Sequence, residues 1–156
     1  MKKAAKRAAG LHRASLAKLD DLDAALELMY YGWRGMTLTA DQYLATLGLS
    51  RPHHRILYVV ARQPDISIGA LIDVLGISKQ AVSRPLKALL ERKLLTSQRS
   101  AEQHRTKLLR LTAEGQRVEQ RASGYERKVL RAAFDKVGEG GAAAWMAVMG
   151  AIADSS

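Results

Sequence analysis

The chain has 156 residues, 47 % of them hydrophobic and 26 % charged, a globular composition sized for one domain with a sizeable core. It contains no cysteine, which excludes disulfides, thiolate catalysis and thiol redox sensing and favours a reducing compartment. The net charge of +10 is segregated, with nine basic residues against two acids from Lys79 to Arg110 and six basic residues without an acid from Lys2 to Lys18. A polyanion partner would explain such a pattern, and a solvated face would also produce it.

From Leu16, apolar residues recur at helical spacing (Leu16, Leu19, Leu22, Leu26, Met29, Tyr30, Trp33), which predicts a long amphipathic helix ending near Gly32 to Gly35. Thr39-Ala40-Asp41-Gln42 can start a short second helix that Gly48 closes. Arg51-Pro52 opens a third, with proline in the first turn and Ile56, Leu57, Val59 and Val60 turned inward. Gln63-Pro64-Asp65 reads as a turn and Ile66 as a minimal strand.

Ser67 is placed to cap a short helix bearing Leu71, Val74 and Leu75, and Gly76 ends it where a left-handed C-cap is wanted. Ile77 follows as an expected buried plug, and Ser78 caps the next helix. Two short helices joined through one glycine and one apolar residue describe a helix-turn-helix. In its second helix Val82, Leu86, Leu89 and Leu90 form the apolar stripe, while Gln80, Ser83, Arg84 and Lys87 line the opposite one. Pro85 removes a backbone hydrogen bond there at a cost of about 3 kcal/mol in a regular interior, so it either kinks the helix or sets how its first half is presented.

Leu94–Arg99 and Thr106–Leu111 read as two extended segments around a polar tip, a hairpin or wing. Thr112 caps a long helix with inward positions Val118, Tyr125, Val129, Ala133 and Phe134. Gly138-Glu139-Gly140-Gly141 breaks it. The last helix, Ala142–Ala153, is apolar nearly all round and needs another chain to cover it. That stretch is far short of the ~20 residues that cross a bilayer, and Lys18, Asp20 and Asp21 interrupt any secretory apolar run. A cytoplasmic protein is expected.

The outward stripe has the chemistry of major-groove readout. Arg84 can donate two bonds to guanine, and Gln80 can pair with adenine. Ser83 and Lys87 suit a phosphate or an adjacent base, and Lys79 with the free N–H groups near Ser78 can hold a phosphate. Arg99, Arg105 and Lys107 on the hairpin complete the candidate DNA-binding set. Fold class is therefore mostly α with a small β-hairpin, a winged helix-turn-helix.

The series Leu47-Gly48-Leu49-Ser50-Arg51-Pro52, then Leu75-Gly76-Ile77-Ser78-Lys79-Gln80-Ala81-Val82-Ser83-Arg84, then Leu108-Leu109-Arg110-Leu111-Thr112-Ala113-Glu114-Gly115, resembles the MarR family of bacterial regulators. The resemblance runs from about Leu26 to Gly115. It implies a homodimer joined through N- and C-terminal helices, with residues 1–50 and 113–156 serving dimerisation and 51–112 forming the DNA-binding lobe of one structural domain. It also implies a repressor on a palindromic operator, with each recognition helix in the major groove and each wing in the minor groove. Two departures are visible. The wing reads Ser100-Ala101-Glu102-Gln103-His104-Arg105, so that Arg105 matches the family's final arginine while His104 replaces a second one. The Lys93-Leu94 junction lacks the glycine common in the family.

Many relatives bind a small aromatic molecule between the dimerisation helices and the DNA-binding lobe. Tyr30, Tyr31, Trp33, Tyr43, His53, His54 and Tyr58 fall in the helices that would line such a pocket, Tyr30, Trp33, Tyr43, His53 and Tyr58 being the candidates. Each serves equally as a core or interface residue. No cofactor or metal is expected: His53 and His54 face different sides, and no cysteine or carboxylate cluster completes a tetrahedral set. Neither a catalytic triad nor a phosphate-binding glycine loop is present, so the chain does not read as an enzyme. An architectural DNA- or RNA-binding protein using the same basic lobe is the alternative. Against its RNA form, the stretch from Lys79 to Arg110 has no aromatic residue on which bases could stack.

Overall fold

A computed structural model describes residues 20–99 and 107–155. Its elements are α1 (Asp21–Thr46), α2 (Arg51–Arg62), β1 (Ile66–Ser67), α3 (Ile68–Leu75), α4 (Lys79–Glu91), β2 (Leu95–Arg99), β3 (Lys107–Leu111) and α5 (Ala113–Ala153). Two compact units are divided after Leu38.

The first unit carries most of α1. The expected stop at Gly32 to Gly35 does not occur, and the two N-terminal helices are one. Neither glycine has a positive φ, and this stretch of α1 contains no proline. A helix-interior glycine costs only about 1 kcal/mol relative to alanine, which is too little to end a helix unaided. Leu22, Leu26, Met29, Tyr30 and Trp33 all lie exposed along it.

The second unit holds the core. Ala40 and Leu44 from the end of α1, Ile56, Leu57, Val59 and Val60 from α2, and Leu71, Val82, Leu86, Leu89, Leu109, Val118 and Ala122 are all buried. Each such aliphatic side chain contributes ~1.5–3 kcal/mol relative to exposure. The sheet has order β1-β3-β2 and is antiparallel throughout, with Ile66 opposite Leu109 and Arg99 opposite Lys107. The minimal strand at Ile66 thus turns the hairpin into a three-stranded sheet.

Four inward assignments fail, two around α3 and two on α5. Val74 and Ile77 are 47 % and 44 % exposed. On α3 the core-facing positions are Ile68, Leu71, Ile72 and Leu75, which places Val74 on the opposite side of the helix. Ile77 follows the left-handed turn at Gly76 and belongs to no helical stripe. On α5 burial covers Gly115, Val118, Glu119, Ala122 and Ser123. It does not reach Val129 and Ala133, which are exposed. The break at Gly138 has φ 74° and ψ 178°, and Phe134 meets Trp145 across it with ring centroids 5.5 Å apart.

Gly115 marks the tightest approach in the unit. A Cβ there would lie 1.9 Å from the Leu94 carbonyl oxygen. That carbonyl accepts the Thr112 backbone N–H at 3.1 Å, while the Thr112 hydroxyl accepts the Gly115 N–H at 3.0 Å. The start of α5 is thereby sewn to the entry of β2.

Candidate DNA-binding surface

The helix-turn-helix forms from its capping residues. Ser67 Oγ accepts the Ala70 N–H at 3.1 Å to begin α3. Gly76 ends α3 at φ 62°, ψ 27°, donating its N–H to Ile72 and Asp73 carbonyls. Ser78 Oγ then accepts the Ala81 N–H at 3.2 Å to begin α4. On α4 the side chains of Val82, Pro85, Leu86 and Leu89 are buried. Lys79, Gln80, Ser83, Arg84 and Lys87 are all exposed, so the structure brings these candidates together with Ser78 on one surface.

Pro85 does not interrupt α4, which runs unbroken from Lys79 to Glu91. Its ring fills a core position, and the carbonyl left without a donor belongs to exposed Ala81, where water can serve it. Lys87 Nζ lies 3.7 Å from Glu91 Oε1 in an exposed pair, an interaction worth well under 1 kcal/mol and readily exchanged for a phosphate.

Arg99 and Lys107 face each other across the last described rung of the wing, both exposed. Like charges directly opposite are destabilising in an isolated sheet, so this rung is better suited to a bound polyanion than to the free protein. Arg105 lies outside the described residues. At the base of the wing, Lys93 adopts φ 57°, at the very junction where the sequence lacks a glycine. Also there, Arg110 donates from Nε and Nη2 to both carboxylate oxygens of Asp65. The Arg110 guanidinium holds the Asp65 carboxyl below its ordinary range.

The aromatic candidates are not all gathered at one place. Tyr30 and Trp33 are exposed in the first unit, where Tyr30 meets Tyr31 edge-on at 5.2 Å and Arg34 sits over both rings. In the second unit, Tyr43 is half-buried against Tyr125 at 5.8 Å. His53 is occupied in capping α2, its Nδ1 accepting the Ser50 N–H at 3.1 Å. Burial, then the neighbouring Arg92 charge, lower its pKa below the ordinary 6.5. Tyr58 lies under the Arg62 guanidinium, 3.3 Å from the ring centroid. A cavity of about 660 Å³ in this unit is lined by other residues, among them Arg62, Pro64, Arg110, Gln116 and Gln120. Among the described residues no group of three His, Asp or Glu side chains could hold a metal ion.

Sequence reasoning missed a polar ladder between α2 and α5. Arg51 pairs with Asp41 at 2.5 Å and with Glu126. His54 Nδ1 faces Arg51 Nη1 at 3.1 Å, and His54 Nε2 lies 3.1 Å from Ser123 Oγ. Ser123 Oγ donates to Glu119 at 2.7 Å, and Glu119 accepts from Arg62 at 3.1 Å. Since Arg51 can only donate, Nδ1 accepts and the proton sits on Nε2, so His54 is neutral here. Burial keeps its pKa below 6.5. The available signal was spacing: Arg51, His54 and Arg62 recur along one face of α2, as do Glu119, Ser123 and Glu126 on α5.

The family model for the MarR family matches residues 47–106, the segment containing the capped helix-turn-helix. The HTH-type transcriptional regulator PetP of Rhodobacter capsulatus is 31 % identical over 86 % of this chain and 81 % of its own length. A crystal structure of the MarR family regulator SP03579 superposes with a TM-score of 0.75 at 19 % identity, covering 86 % of this chain and 89 % of that one. The PcaV regulator of Streptomyces coelicolor, solved with its natural ligand, gives 0.61 at 20 % identity over 82 % and 90 %. The relationship to PetP, with the matched helix-turn-helix at its centre, establishes that this chain belongs to the MarR family of DNA-binding transcription regulators.

Proposed function

We propose that the chain binds a palindromic operator as a homodimer and represses transcription, with α4 in the major groove and the wing against the adjacent minor groove. The observation that carries this reading is the exposure of Ser78, Lys79, Gln80, Ser83, Arg84 and Lys87 along α4, together with the like-charged rung Arg99/Lys107 on the wing. Arg84 and Gln80 read bases; Ser78, Lys79, Ser83, Lys87, Arg99 and Lys107 hold backbone phosphates. Residues 51–112 form the DNA-binding lobe, and residues 1–50 and 113–156 form the dimer. Leu22, Leu26 and Trp33 in the first unit, and Met146, Val148 and Ile152 in the second, are exposed apolar side chains that a second copy would cover. Two-fold symmetry then sets the recognition helices about one DNA turn apart, ~34 Å. Regulators of this family are not enzymes, and the protein acts in the cytoplasm where its DNA is.

Release by a small aromatic ligand forms part of the proposal. It is supported by the ligand-bound PcaV relative and by the aromatic side chains of α1 and α2. Among the described residues no helix is long and apolar enough to cross a membrane.

The test is fluorescence anisotropy with duplex from the region upstream of the protein's own coding sequence, against a scrambled duplex, over a range of salt. A preference of ~10³ or more at physiological salt, with two subunits per site, is expected. Equal binding to both duplexes with a steep salt dependence would replace this reading with a non-specific architectural role.

A further inference from the structure

Arg110 belongs to the basic stretch whose charge first suggested a polyanion, yet its surroundings differ from those of its neighbours. It lies on β3 opposite Thr96, whose hydroxyl reaches the Arg110 carbonyl at 3.5 Å. Its fork is taken up by both oxygens of Asp65. No other basic side chain between Lys79 and Arg110 has a two-oxygen carboxylate partner among the described residues.

Asp65 is itself held in an unusual place. Its φ of 64° is a left-handed conformation that aspartate tolerates better than most residues, and its N–H donates to the Leu109 carbonyl at 3.1 Å. One residue further on, β1 begins, and two residues on, Ser67 both pairs with Leu108 and caps α3. The carboxylate is therefore fixed to the chain segment that launches the helix-turn-helix, and the guanidinium is fixed to the central strand of the wing.

We propose that Arg110 is a positioning residue of the wing and not a phosphate ligand: its bidentate clamp on Asp65 ties β3 to the start of the helix-turn-helix and sets the wing's direction relative to α4. This rests on the reading that α4 and the wing meet duplex DNA. A point charge cannot replace the clamp, because the planar fork engages two oxygens at once.

The experiment uses the full-length protein and a duplex that the wild type selects from a random-sequence pool. Affinity is measured across a salt series for Arg110→Gln, Arg110→Lys, Asp65→Asn and the double variant Asp65→Asn/Arg110→Gln. Each single change is expected to weaken binding by about twofold to fivefold, the range open to a half-exposed pair. The slope of log affinity against log salt should stay at the wild-type value, and the double variant should bind no more weakly than the singles.

A phosphate-contacting Arg110 gives the opposite results. The Arg110→Gln slope would fall by ~0.9, and Arg110→Lys would bind like wild type. Asp65→Asn would bind more tightly, having freed a cation. Any of these overturns the proposal. Thermal melting accompanies each variant, and Arg110→Lys, which keeps charge and stem, carries the comparison should a neutral variant fail to fold. A wild-type chain that selects no duplex overturns the placement of α4 on DNA, and the clamp's role falls with it.

Discussion

Replacing Gly115 by alanine would set a methyl carbon 1.9 Å from the Leu94 carbonyl oxygen and 2.9 Å from its carbonyl carbon. Both obstacles are backbone, so no side chain can swing aside. Relief requires the start of α5 and the entry to β2 to separate by more than an ångström. That separation weakens the Thr112 N–H bond to Leu94 at 3.1 Å and the Thr112 hydroxyl contact with the same carbonyl at 3.3 Å. Overpacking of this kind costs about 1–3 kcal/mol, and each of the two disturbed hydrogen bonds adds ~0.5–1.5 kcal/mol, giving a loss of roughly 2–6 kcal/mol. Gly76 supplies the control. It has φ 62° and nothing within 4 Å of a built Cβ, so Gly76→Ala bears only left-handed strain, ~1–2 kcal/mol. Urea unfolding at equal protein concentration should therefore rank Gly115→Ala well below Gly76→Ala, and Gly76→Asn should recover part of its loss. Equal midpoints for the two alanine variants would refute the packing argument.

Arg84→Ala should lower operator affinity by about 1–3 kcal/mol and relax the preference at one base position, whereas Lys87→Ala should weaken all sequences alike and flatten the salt slope. Undiminished discrimination in the Arg84 variant would sink its readout role. Lys93→Gly should raise stability by ~0.5–1 kcal/mol, because it removes left-handed strain at φ 57°, and a lowered melting temperature would contradict that account. Stability should also fall as pH drops. His54 and His53 bind protons in the unfolded chain below about 6.5 but titrate lower when folded, so their contribution is complete above 6.5 and is lost as pH falls from there through their lower folded-state pKa values. His54→Gln should reduce this slope in urea titrations between neutral and mildly acid pH, and an unchanged slope would assign it elsewhere. Deleting Gly141–Ser156 should yield monomers or aggregates by light scattering, and a well-behaved dimer would refute the proposed dimer surface.

Where residue type alone fixes the backbone, the chain could be read directly. The caps at Ser67, Ser78 and Thr112, the left-handed Gly76, the minimal strand at Ile66 and the break at Gly138 all follow from local chemistry, and all are present. The polar face of α4 was legible for the same reason, since one helical period places it. Tertiary context decided the rest. Gly32 and Gly35 carry a helix whose local cost is small, and Pro85 is tolerated because its ring fills the core. Val74 could be placed only by knowing which side of α3 meets Leu71's neighbours. The ladder between α2 and α5 joins residues more than fifty positions apart, so its spacing had meaning only once the two helices were known to pack.

That ladder limits how α5 can move against α2. In an apolar seam, small offsets exchange one van der Waals contact for another at little cost. Here, an offset of part of a turn would leave Glu119 and Ser123, both nearly fully buried, facing no partner. An unmade buried hydrogen bond costs ~1–3 kcal/mol, and more where a charge is involved. Partial offsets of α5 along α2 are each penalised in this way, so the polar ladder holds the two helices in this one register. Displacement of α5 is thereby passed to α2 and not absorbed by sliding along their seam.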